Sequence, residues 1–152
     1  MTAPSTTSVT LQAALERREG MASALTRLED VLTSHDAAPS DVVAAVAQVR
    51  DELCAHVAVV EDPDEGLFRE VTVRAPRLVH HMERLRRDHL ELVDLAGKAL
   101  AAAERLHDPP LPELMAFVHS EASALATRLR AHRRVGARLV YEAYDVDLGG
   151  GD

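Results

Sequence analysis

The sequence predicts an all-α protein built as an up-down-up-down four-helix bundle, and three observations predict it. Hydrophobic residues make up 47% of the 152-residue chain, with Ala, Leu and Val the main contributors, while aromatics are only 3% and Trp is absent. Ala, Leu, Glu and Arg favour helix. Val favours strands in general, yet here it recurs at helical spacing rather than in alternation. Finally, four long periodic segments are separated by short breaks, which implies antiparallel neighbours.

The elements follow in order. Residues 1–8 read as a flexible tail, and a helical pattern runs from about Val9 to Ser34. His35-Asp36-Ala37-Ala38-Pro39-Ser40 is a turn, with Pro39 and Ser40 suited to a helix start. A second helix runs from about Asp41 to Val60. Glu61-Asp62-Pro63-Asp64-Glu65-Gly66 breaks it, and a short helix from Leu67 to Val73 follows. Pro76 opens a third long helix to about Leu106, stopped by His107-Asp108-Pro109-Pro110. The fourth long helix runs from about Pro112 to Tyr144. The bundle is expected over residues 9–148, and Gly-rich residues 149–152 form a flexible tail.

Bundle helices meet along apolar residues spaced alternately three and four. The first long helix offers Leu11, Ala14, Arg18, Met21, Leu25, Leu28 and Leu32. The second offers Val42, Val46, Val49, Leu53, His56 and Val60. The third offers Leu78, Met82, Leu85, His89, Leu92, Ala96 and Ala99. The fourth offers Val118, Ala122, Leu125, Leu129, His132, Gly136, Leu139 and Ala143. Each seam is apolar except near one level, where Arg18, His56, His89 and His132 stand. An inward polar group is costly unless paired or bound. One per helix therefore predicts a single internal polar layer. Three neutral imidazoles in such a layer suit Fe, Zn, Cu or Ni.

Several function classes are disfavoured. The formal net charge is −8, which argues against broad phosphate binding, so no nucleic-acid partner is expected. Arg84, Arg86 and Arg87, and likewise Arg128, Arg130, Arg133 and Arg134, read as solvated helix faces. Cys54 is the single cysteine. It excludes an intrachain disulfide and a cysteine zinc cluster, and is expected to pack in the core. The acidic run 61–66 lacks calcium-loop spacing. No signal peptide and no membrane span are evident, so a cytoplasmic location is expected. No acid–base pair marks an enzyme.

Four pieces of the chain resemble the hemerythrin-like (HHE cation-binding) family. They are Leu15-Glu16-Arg17-Arg18 followed by Met21, Leu25 and Leu28; Leu53-Cys54-Ala55-His56 with Glu61 and then Gly66-Leu67-Phe68; Arg87-Asp88-His89-Leu90-Glu91-Leu92; and Leu129-Arg130-Ala131-His132 with Leu139 to Tyr144 and an Asp-Leu-Gly tail. The resemblance covers about residues 9–149. It implies a non-haem di-iron site, with a His from each of four helices and bridging carboxylates. Those carboxylates usually sit four residues after the second-helix and fourth-helix His, on the same helix face.

His56, His89 and His132 match the family's His positions. Arg18 stands where the first-helix His is expected, and Val60 and Gly136 stand where the carboxylates are expected. An ordinary di-iron centre is therefore not expected. The expected site is a single Fe or Zn ion on His56, His89 and His132, with Glu61 and His81 as candidate additional ligands. Glu61 lies one residue past the carboxylate position, about 100° round an ideal helix, which makes its inward reach doubtful. Arg18 has no lone pair for a metal. It either points inward to a hydrogen-bond acceptor or snorkels out. By family analogy the role is O₂, nitric oxide or iron sensing or handling. The alternative is a metal-free structural or interaction module whose His and Arg18 form a polar core layer. A protein partner or a homodimer stays open.

Overall fold

The computed structural model describes residues 8–145. Residues 1–7 of the expected N-terminal tail, the end of the expected bundle (146–148) and the Gly-rich tail lie outside the described residues. The fold is all-helical, with no strand among the described residues: α1 (Val9–Thr33), α2 (Pro39–Val60), α3 (Leu67–Arg74), a 3₁₀ turn (Pro76–Leu78), α4 (Val79–Ala103) and α5 (Pro112–Tyr144). α1 packs against α2 and α5, and α4 packs against the same two helices. No described helix is long and apolar enough to cross a membrane.

Local chemistry sets the boundaries. Ser8, expected in the tail, instead caps α1, its Oγ accepting from the Leu11 N–H at 3.0 Å. α2 begins earlier than expected, with Pro39 in its first turn and the Asp41 carboxylate accepting from the Ala38 N–H at 3.0 Å. Between α2 and α3 the backbone is drawn tight. A Cβ on Gly66 would lie 2.3 Å from the Asp62 carbonyl oxygen, so this turn requires glycine. The third long helix is split at its start, because Pro76–Leu78 is a 3₁₀ turn. It also ends at Ala103 rather than Leu106, where the hydrogen bonds tighten to i−3 ahead of the prolines. The C-terminal end of α5 is capped by arginines: Arg74 Nε donates to the Ala143 carbonyl at 3.1 Å, and Arg77 Nη2 to that of Glu142 at 2.9 Å.

The core falls into two apolar clusters. One is aliphatic and joins Met21, Leu25 and Leu28 to Val42, Val46, Val49 and Leu53, with Leu92, Ala96 and Ala99 and Val118, Ala122, Leu125 and Leu129. The other gathers Leu11, Ala14, Val60, Leu67, Phe68, Val71, Met82, Leu85 and Leu139 around α3. On every long helix the seam passes from one cluster to the other across one polar residue. Arg18 lies between Ala14 and Met21, His56 between Leu53 and Val60, His89 between Leu85 and Leu92, and His132 between Leu129 and Leu139. The polar layer divides the core.

Candidate metal centre

Because each of the three histidines replaces one apolar seam residue, the packing that buries its neighbours also turns it inward. His89 and His132 are the two buried polar residues among the described ones, and His56 is half-buried beside them. The rings of His56 and His89 lie 5.3 Å apart, those of His56 and His132 5.9 Å, and those of His89 and His132 4.7 Å. One ligand nitrogen from each ring lies within 4.8 Å of the others. Phe68 stacks on His89 at 5.8 Å with the planes 5° apart, which limits rotation of that ring.

The hydrogen bonds specify which nitrogen is offered. His89 Nδ1 lies 3.2 Å from Glu61 Oε2, and His132 Nδ1 lies 2.7 Å from Asp88 Oδ2. A carboxylate can only accept, so each Nδ1 carries its proton and donates outward. Each Nε2 of a neutral ring then presents a bare lone pair. These two atoms face each other at 3.1 Å. Two lone pairs at that distance repel unless something positive sits between them. The separation also suits two ligands on one ion with bonds of about 2.0–2.1 Å. A carboxylate on the outer nitrogen of each ring is the usual support of a metal-bound histidine. The Nδ1 of His56 is buried and has no hydrogen-bond partner.

Electrostatics keep the rings neutral. Burial, then His132, His56 and Arg86, hold the His89 pKa down to about 2. Burial, then His132 and Arg18, hold His56 down to about 4. His132 is lowered by burial, although Asp88 opposes the shift. Neutral imidazole is the form that binds a metal.

A cavity of about 50 Å³ adjoins the rings, lined by Arg18, Val60, Phe68 and Gly136 among others. Val60 and Gly136, the residues standing at the expected carboxylate positions, thus border it, and neither has a side-chain oxygen to offer. Arg18 takes the inward course: it lines this cavity, and its Nη1 donates to the Arg133 carbonyl at 3.0 Å.

The expected auxiliary ligands are corrected by their positions. His81 is exposed and lies 3.9 Å from Glu142 at the surface, so it does not join the cluster. Glu61 does reach inward, because α2 stops at Val60 and Glu61 is its C-cap, outside the helical rotation that made its reach doubtful. It meets the outer nitrogen of His89 rather than the converging ones. Cys54 is exposed rather than in the core, one position past the buried Leu53. Sequence reasoning missed the role of Asp88. It precedes His89 on α4 but serves His132 on α5, and only the relative height of those helices decides that.

The chain matches no family model, no curated protein and no solved structure.

Proposed function

We propose that this protein is a non-enzymatic metal-binding module, holding one ion on His56, His89 and His132 at the centre of an up-down-up-down, hemerythrin-like four-helix bundle. The observation that carries this reading is the pair of Nε2 atoms facing each other at 3.1 Å, each ring donating its other nitrogen's proton to a carboxylate. A cation between them relieves that repulsion. His56 supplies the third nitrogen, and three protein ligands leave a zinc-type ion one open position. The resemblance to the HHE family supports the bundle topology and a role in O₂, nitric oxide or iron sensing or handling. Fe and Zn are the expected ions, at one per chain, since no carboxylate bridges.

The test is metal content per chain by mass spectrometry, after anaerobic loading with Fe(II) and separately with Zn(II), then desalting. One ion per chain, lost in His132→Ala, is the expected result. Two irons per chain would mean a dinuclear site. Retention of none would favour the second reading, a metal-free structural or interaction module with a polar core layer. The inward Arg18, a fixed cation hydrogen-bonded within that layer, is the observation behind this alternative.

A further inference from the structure

Arg18 is the feature that a three-histidine ion site does not use. Arg18 lines the same cavity as the three histidines. Its hydrogen bond goes to a backbone carbonyl rather than a carboxylate. Arg133 also lines the cavity and is close enough to Arg18 for the two charges to oppose each other. The nearby carboxylates are already engaged by other arginines. Arg86 Nε holds Glu61 Oε1 at 2.9 Å, Arg128 Nη2 holds Asp88 Oδ1 at 3.0 Å, and Arg130 holds Glu29. A divalent ion on neutral histidines would add two positive charges here, with no carboxylate facing the cavity to balance them. Partly desolvated like charges repel.

This inference rests on the metal reading above. We propose that the cavity takes a small monovalent oxyanion beside the metal ion, that Arg18 recognises it, and that metal and anion bind cooperatively. The guanidinium presents paired donors that match the two oxygens of a carboxylate-type anion. The open position left by three protein ligands lies available to the same anion. A water needs about 10–15 Å³ of such space. The cavity of about 50 Å³ therefore admits a ligand of roughly three or four heavy atoms, the size of formate or nitrite. Coupling must be reciprocal: the anion strengthens metal binding by the factor by which the metal strengthens anion binding.

The test is calorimetric titration of Zn(II) into the whole chain in a buffer whose only anion is bulky and weakly coordinating. It is repeated with saturating formate, with nitrite and with benzoate. In the wild type, formate or nitrite should tighten zinc binding about tenfold or more, and benzoate, too large for the cavity, should not. Arg18→Met should bind zinc more tightly than wild type without the anion and lose the formate effect. Arg18→Lys keeps the charge but not the paired donors, so the coupling should persist while the preference for formate over chloride, read from a further titration with chloride, shrinks. Circular dichroism checks that each variant folds, and Arg18→Lys carries the test should Arg18→Met not fold. One zinc per chain with the same affinity in every buffer would overturn the anion site and leave the metal centre standing. Equal coupling in wild type and Arg18→Met would overturn the role of Arg18. No zinc in any buffer would overturn both the inference and the metal reading.

Discussion

The two ends of the core are built on the same long helices, yet they enclose different things. At one end, Leu25, Leu28, Val46, Val49, Leu53, Leu125 and Leu129 fill the space between helices with aliphatic carbon. At the other, Phe68, Leu85 and Leu139 line a cavity that adjoins three histidines and two arginines. The aliphatic end has only packing to satisfy. The other end keeps open volume and two imidazole nitrogens that face each other. The same helices thus pack one end with carbon alone and leave a cavity beside polar side chains at the other.

Truncation should break the symmetry between the ends most visibly. Leu125 is fully buried in the aliphatic cluster. Leu125→Ala should cost about 3–5 kcal/mol, because closely packed neighbours cannot collapse into the gap. Leu139 borders the existing cavity. Leu139→Ala should cost about 2–3 kcal/mol, the low end of such changes, since it enlarges a space that water can share. Urea unfolding of both variants measures the difference. Equal costs would mean the cavity end is as tightly packed as the other.

The next contrast is in pH. Above about 6.5, the ordinary histidine value, His56 is neutral in both folded and unfolded chains and contributes no pH dependence. Below it the unfolded chain takes up a proton that the folded one refuses until about pH 4. Stability of the metal-free protein should therefore fall as pH drops through that window, by about 1.4 kcal/mol per pH unit for each histidine kept neutral. Comparing His56→Leu with wild type between pH 6.5 and 5 isolates one proton's worth of that slope. Identical slopes in the two proteins would show that His56 charges freely in the fold.

A smaller effect sharpens the site itself. Asp88→Ala removes the acceptor that fixes the His132 ring. Zinc affinity should fall 10–100-fold, as is usual when the partner of a metal-bound histidine is lost. The helix fold should survive, which near-unchanged far-UV circular dichroism would verify. An unchanged zinc affinity would mean that packing alone orients the ring.

These contrasts also show what the sequence could and could not convey. The apolar seams were legible because burial on a helix repeats with its turn: Val42, Val46, Val49 and Leu53 on α2 and Met82, Leu85 and Leu92 on α4 are all buried as read. The polar layer was legible for the same reason, since a histidine within such a stripe has nowhere else to point. Periodicity also placed the Cys54 neighbourhood at the seam, but one residue's rotation beyond Leu53 is enough to reach solvent. Relative heights were not legible. Asp88 finds His132 through the stagger of two helices. The end of α2 at Val60 was read from the sequence, but not that its C-cap Glu61 meets His89. Both facts belong to the packed structure, and no spacing along the chain encodes them.

Two glycines allow a last comparison between the ends. Gly97 lies on α4 between the buried Ala96 and Ala99 of the aliphatic end, and Gly136 lies on α5 at the cavity. A Cβ built at either position meets nothing within 4 Å. Both are helical, so alanine should stabilise each by about 0.5–1 kcal/mol through backbone entropy and helix propensity. Thermal melts of the metal-free variants should show two similar upward shifts. The variants should part on zinc. Gly97→Ala should leave affinity unchanged, whereas Gly136→Ala places a methyl group toward the space proposed for a ligand and should weaken the formate effect. If Gly136→Ala gains stability and keeps the full formate response, the anion does not use that side of the cavity. If it gains stability at the expense of the response, the glycine at the expected carboxylate position leaves room for a ligand in place of a side-chain oxygen.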